Sequence, residues 1–270
     1  MGIFSRNFDK PGPGVSKDEP RKKGAARFFE LLFRDFWDLI KINMIFCICP
    51  LLSIIVFIFG FLFLYPSIAF IISFILALAL AFPVGGALTA LVYYITKMMR
   101  DDPSYVWYEF RRKFKENYKQ AAPVGIAYTA FIYTQIMLWS LLVMGEVGGD
   151  ILLLLVSLIS LLIFGMITPY IFMHLAYVEL NTAGILKNSM LMSFGYFPRS
   201  FMGAILSGSI WIVFALFFPA SLIAIPLVGL VGVSLSILLC MSWVWRPFNL
   251  HFKIEETLVA RLEEESEENI

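Results

Sequence analysis

Long runs without a single charged residue alternate along this chain with short segments dense in charge. Charge-free stretches extend from Ile42 to Thr96, Ala121 to Gly145, Ile151 to Val178, Phe201 to Leu222 and Ile223 to Trp245. A helix needs about 20 apolar residues to cross the hydrocarbon core of a bilayer. The first stretch therefore holds two spans, parted near Tyr65-Pro66-Ser67, and the pattern predicts six in all. No charge separates the fifth from the sixth, so residues 218–226 form either a turn between two spans or part of a re-entrant segment.

The charged segments have a different period. In "WYEFRRKFKENYKQ", residues 107–120, Trp107, Phe110, Phe114 and Tyr118 fall within an arc of roughly 80° at the helical 100° per residue, and the charged side chains project elsewhere. Aromatic-rich segments also precede the first span ("FFELLFRDFWDLIKIN") and the fifth ("GILKNSMLMSFGYFPRSF"). The expected fold is an all-α integral membrane protein: six transmembrane helices in three hairpins, each preceded by an amphipathic interfacial helix whose aromatic stripe faces the headgroup boundary.

Composition agrees with the pattern. A mean hydropathy of +0.81, with 60% hydrophobic and only 15% charged residues, leaves too little polar surface to coat a water-facing globule. Charge sets the orientation. All 21 Lys and Arg fall before span one, between spans two and three, between spans four and five, or after span six. The opposite connections hold only Tyr65-Pro66-Ser67, "GEVGGD" and the Pro219 region, so both termini are expected in the cytoplasm. Residues 1–27 read as a mobile basic segment with no apolar run for a signal peptide, 28–250 as one membrane domain and 251–270 as an acidic tail. The formal charge of +1 hides a basic excess beside the membrane, which predicts anionic lipid headgroups as partners and no nucleic acid.

Candidate chemistry is sparse. No phosphate loop, H-E-x-x-H, G-x-S-x-G or intramembrane carboxylate pair occurs, so no enzyme and no cofactor are expected. Cys47, Cys49 and Cys240 lie inside spans without metal-ligand spacing and read as packing residues. Two even-numbered spans are long and interrupted, at "FPVGGA" and "GMITPY", where Pro83 and Pro169 each remove a backbone donor. Gapped helices at corresponding places in a repeat mark binding sites in transporters. Pro83, Gly85, Gly86, Thr168, Pro169 and His174 are therefore candidate substrate-binding residues, with ordinary membrane-helix packing as the competing reading. A second candidate set, for the interface or a docked partner, comprises Trp107, Phe110, Arg111, Arg112, Phe114, Lys115, Glu179, Gly184 and Lys187. Permeases of ATP-driven importers carry an E-A-A-x-x-x-G stretch, but here Glu179 and Gly184 are five apart and the alanines are Leu180 and Asn181. A permease is not expected, although a short helix from Ile185 to Met192 could still dock on a soluble partner.

The stretches "NFDKPGPGV", "DFWDLIKIN", "PVGGALTALVYYITKMMRDDPSYVWYEFRRKFKENYKQA" and "GILKNSMLMSF" resemble the YesL family of bacterial membrane proteins over nearly the full length. That resemblance implies a multi-span protein of a bacterial plasma membrane, commonly encoded beside carbohydrate ATP-driven importers. It brings no catalytic residues. The expected function is a non-enzymatic accessory or scaffold component of carbohydrate import, with subunits of a sugar importer as possible partners; the alternative is a small-molecule transporter with its site at the broken helices.

Overall fold

A computed structural model describes residues 22, 24–102, 105–144, 151–216, 228–258 and 260. The basic N-terminal segment, the "GEVGGD" turn, the 218–226 connection and most of the acidic tail lie outside the described residues. Among the described residues the regular structure is wholly helical: α1 (Ala25–Arg34), α2 (Phe36–Ile48), α3 (Leu51–Leu64), α4 (Ile68–Leu80), α5 (Phe82–Met99), α6 (Val106–Met144), α7 (Ile151–Tyr177), α8 (Thr182–Gly195), α9 (Phe197–Leu216), a π turn at Val228–Gly232, and α10 (Val233–Phe252).

Three helices are long and apolar enough to cross a bilayer: α6, α7, and α10 with its π turn. Two bent pairs, α2 with α3 (57°) and α4 with α5 (41°), raise the number to five. The chain is a multi-pass membrane protein. Of the six expected spans, the fifth corresponds to α9, whose apolar part, Phe197–Val213, is shorter than the others. The bends have local causes. Pro50 follows the last turn of α2, and Pro83 stands in the first turn of α5, where a missing N–H costs nothing. The interruption at Pro83 is thus a true helix break. Pro169, by contrast, lies inside an unbroken α7.

The core sits at one end of the bundle. Helix α5 is buried on nearly every side from Val84 to Met98 and touches α2, α6, α7 and α10. A helix apolar all round belongs in the centre, and "VGGALTALVYYIT" meets that requirement with small residues where neighbours come closest. The deepest parts of α7 (Met166–Ala176) and α10 (Leu238–Phe248) surround it. Away from this end the helices expose their Leu, Ile and Phe side chains, as a lipid-facing surface should. The α3–α4 hairpin attaches through a small second cluster of Phe57, Ala77 and Tyr133, where the Tyr133 ring stacks on Phe57 at 4.1 Å and its hydroxyl lies 2.8 Å from the buried Ser53.

One expected element is corrected. The segment 107–120 is no separate interfacial helix but the opening turns of α6, which continues for 39 residues through Pro123. The middle of its aromatic stripe faces protein: Phe110 is buried, Phe114 closes over Gly86 of α5, and the exposed Tyr118 stacks on Phe114, while Trp107 stays exposed. Elsewhere separate interfacial-type helices do form. Helix α1 exposes Phe29 and Phe33, and α8 exposes Leu186, Met190, Leu191 and Phe194.

Candidate functional site

Helix polarity brings the charged segments to one end of the bundle, where α5, α7 and α10 finish and α2, α6 and α9 begin. Three ionic knots bind these helix ends. In the first, Asp101 adopts a left-handed conformation (φ 65°), tolerable for Asp, and its two carboxylate oxygens accept from Arg27 (2.6 Å) and Arg34 (2.5 Å) of α1. Burial works against the Asp101 charge, but the two guanidinium groups prevail and hold its carboxyl below the usual carboxylate range.

In the second knot Glu109, 6% exposed, accepts from Lys97 (2.6 Å) and Arg112 (2.6 Å), and Arg112 also donates to the Tyr93 hydroxyl at 3.0 Å. The third centres on Arg100, 5% exposed, which pairs with Asp102 and lies against two neighbouring rings, Tyr177 (5.5 Å) and Trp245 (5.6 Å), that also touch each other. Arg combines weak hydration with a flat face, and so suits a place beside paired rings better than Lys. Of these pairs only Lys97–Glu109 is largely buried on both sides, so it holds its helix ends more firmly than the half-exposed pairs at Asp101 and Asp102, which solvent screens.

Behind the knots a seam of buried hydroxyls runs inward between α7, α8 and α9. Thr96 and Tyr177 are 2.6 Å apart, His174 Nδ1 is 3.0 Å from Ser189 Oγ, and Tyr170 is 3.0 Å from Ser200. Helix α8 is therefore inside-out: it covers α7 with Ile185, Ser189, Met192 and Ser193 and turns its larger apolar side chains outward. A second polar clasp lies across the molecule. The fully buried Asn43 donates to the Gly229 carbonyl (2.6 Å) and accepts from the Ser234 N–H (2.8 Å), occupying the groups that the π turn frees.

The candidate residues divide accordingly. Gly85 and Gly86 form a helix crossing. A Cβ on Gly85 would stand 1.9 Å from the Ala121 carbonyl oxygen, and one on Gly125 would stand 2.2 Å from the Gly85 nitrogen. The close approach that the glycines signalled is filled by α6. Parallel contact of Tyr93 and Thr96 with Tyr177 carries Gly85 to about the depth of Pro169, two helical turns in, but Gly85 packs on α6 and Pro169 is buried in an unbroken α7. Thr168 donates to the Phe164 carbonyl within α7 (2.7 Å). Of this set, His174 alone enters the polar seam.

In the docking set, Phe110, Phe114 and Arg112 are occupied inside the protein, while Trp107, Arg111 and Lys115 are exposed. Gly184 serves a helix start: Asn181 caps α8 by accepting from the Gly184 N–H at 2.8 Å, which accounts for the Asn-x-x-Gly spacing without a coupling motif. Glu179 and Lys187 are exposed beside it. The first charged knot was missed at the level of sequence because partners 67 to 74 positions apart leave no periodic signal. Ser189 and Ser193, at i and i+4, left a weak one.

Two cavities stand out. The larger, about 460 Å³, lies between α3 and α4, is walled by apolar side chains and Ser73, and is remote from the polar groups described above. The smaller, about 220 Å³, opens at the charged end among Arg34, Asp35, Asp38, Tyr94, Asp101 and Asp102. Its carboxylates are largely engaged by Arg27, Arg34, Lys41 and Arg100. No cluster of His, Cys, Asp and Glu suited to a metal ion occurs among the described residues.

Residues 63–139 match a family model described as "Protein of unknown function, DUF624". The matched stretch runs from the end of α3 through most of α6 and includes the whole glycine crossing. No curated protein and no solved structure matches the chain.

Proposed function

We propose that the protein is a non-enzymatic accessory or scaffold component of a bacterial plasma membrane, with six spans and both termini in the cytoplasm. Its charged end serves as a platform for soluble subunits of a carbohydrate ATP-driven importer and for anionic lipid headgroups. The observation that carries this reading is the row Arg111, Lys115 and Lys119, spaced by four on the outer face of α6 and exposed, in a helix whose inner face is locked on α5. At about 1.5 Å per residue, the 15 residues from Val106 to Gln120 extend about 22 Å alongside α5, from Lys97 at Glu109 to Gly86 at Tyr118. A helix braced along its inner face, with exposed cations on the outer one, suits docking better than a helix flattened on lipid does.

Affinity purification in mild detergent tests this. The wild type should retain importer ATPase subunits, and the Arg111→Glu, Lys115→Glu, Lys119→Glu variant should lose them without a change in melting temperature. Retention by the triple variant, or no importer subunit on the wild type, would remove the docking role. The transporter reading keeps one observation in its favour, the buried polar seam at His174, although the space that Gly85 leaves beside Pro83 is filled by α6.

A further inference from the structure

We propose that the groove between α3 and α4 is a binding site for a single phospholipid acyl chain. The inference is independent of whether a partner docks at the charged end.

The sequence makes the two sides of this hairpin unequal. On the side turned to α6, the rings of Phe57, Phe61, Phe70 and Phe74 form a closed circuit with centres 6.1 to 6.4 Å apart, and Phe57 stacks on Tyr133. The two helices touch at Gly60, where an added Cβ would overlap Ser73 Oγ. On the other side Ala69 and Ser73 are too short to fill the space between Ile55 and Phe59 of α3 and Ile72 and Leu76 of α4. The groove of about 460 Å³ is what remains.

Length, width and polarity each limit the occupant. The groove follows α3 from Ile55 to Leu64, about 14 Å at the helical rise, and ends beside the Tyr65-Pro66-Ser67 turn, away from the charged end. The hydrocarbon core is about 30 Å thick, so this is the depth of one leaflet and the reach of one chain. Spread over that length, the volume gives a mean cross-section of about 33 Å². An α-helix, about 10 Å across, needs roughly 80 Å². A polymethylene chain, whose carbons keep about 4 Å from their neighbours, needs roughly 20 Å². A helix of another protein, or of a second copy of this one, can therefore cover the groove but not enter it.

Polarity decides which part of a lipid goes in. Ser73 Oγ already donates to the Phe70 carbonyl at 2.9 Å, so the one polar side chain in the wall has no need of a ligand. The stretch from Ile42 to Thr96 holds no Lys or Arg, so the hairpin has no cation for the carboxylate of a free fatty acid. The headgroup stays at the boundary of its own leaflet and only the chain enters, which makes a phospholipid the ligand. Ile55, Phe59, Ile72 and Leu76 are each half exposed or more, and open the groove to the bilayer that supplies it.

Photo-crosslinking of the full-length protein in nanodiscs tests the site, with a phosphatidylcholine that carries a diazirine midway along one acyl chain and peptide mass spectrometry to map the labelled residues. Labelling of Ile55, Phe59 and Ile72 should saturate as the fraction of labelled lipid rises. Leu155 and Ile159, exposed in the first turns of α7, should be labelled in simple proportion. Ala69→Leu and Leu76→Phe fill the groove from opposite ends, and each should remove the saturable part while leaving the α7 labelling and the melting temperature unchanged. A fold defect in one variant leaves the other as the test. A diazirine-bearing fatty acid should show no saturable labelling of the hairpin. Proportional labelling of hairpin and α7 alike, indifferent to both filling variants, would overturn the proposal, and so would saturable labelling by the fatty acid alone.

Discussion

Glycine 85 shows what a single residue decides here. Its missing side chain lets two backbones meet, and the Ala121 carbonyl occupies the place of the absent Cβ. Gly85→Ala should therefore force α5 and α6 apart and lower stability by about 2–3 kcal/mol in detergent unfolding. Gly195→Ala, with nothing within 4 Å of the new Cβ, should leave the melting point unchanged. Asp101 makes a second residue-scale test. Its carboxyl is held below its unfolded value of about 3.9, so its contribution is present at neutral pH and lost as pH falls through the lower folded value. Unfolding followed between neutral pH and pH 2 should show the wild type losing stability in that window and Asp101→Asn, which retains a tolerated left-handed conformation, losing less. The sequence marked Gly85 and Gly86 as special yet attached them to a ligand. A glycine signals that something comes close; it does not say what. Asp101 gave no mark, because a left-handed Asp before a second Asp looks like any polar turn.

Element by element, the apolar helices were legible because a run of 20 apolar residues without charge has few other uses, and three to five of them are long enough to span. The amphipathic segment of α6 was legible as a helix and misplaced in space. Its stripe of Phe110, Phe114 and Tyr118 has the same 3.6-residue period whether lipid or α5 covers it, and periodicity alone cannot tell the two covers apart. Nor does composition report continuity, since Pro123 lies inside an unbroken helix. Spin labels at Trp107→Cys and Ser140→Cys in a cysteine-free background measure this. One continuous helix puts the two backbone sites about 50 Å apart, at 1.5 Å per residue. A segment folded flat on the membrane would bring them substantially nearer, and a distance well under that figure would refute the upright α6.

For the whole molecule, the one-sided placement of basic residues in the sequence becomes a physical end of the bundle, where α1, α5, α6, α7 and α10 are tied by ion pairs and ring contacts. With the proposed cytoplasmic termini, an impermeant thiol reagent applied to intact cells should label Ser67→Cys, at the exposed turn between α3 and α4, and spare Tyr105→Cys, at the start of α6. Labelling at position 105 from outside would invert the topology. What the sequence could not convey is where the interior lies. The exposed α4 is richer in Ile, Leu and Phe than the buried α5, so a reading that puts the most apolar helix inside would choose the wrong one.

The clasp at Asn43 sets a timetable for making the protein. Its amide belongs to the first membrane segment, and its partners, Gly229 and Ser234, belong to the last. With 186 positions between Asn43 and Gly229, a ribosome adding about 5–20 residues per second leaves that amide waiting for roughly 10–40 s. During that interval the first helix holds a polar group in hydrocarbon with its native partners not yet synthesised. The early hairpins can therefore insert but not settle, and an interrupted chain keeps an unsatisfied side chain at the surface where membrane quality control could find it.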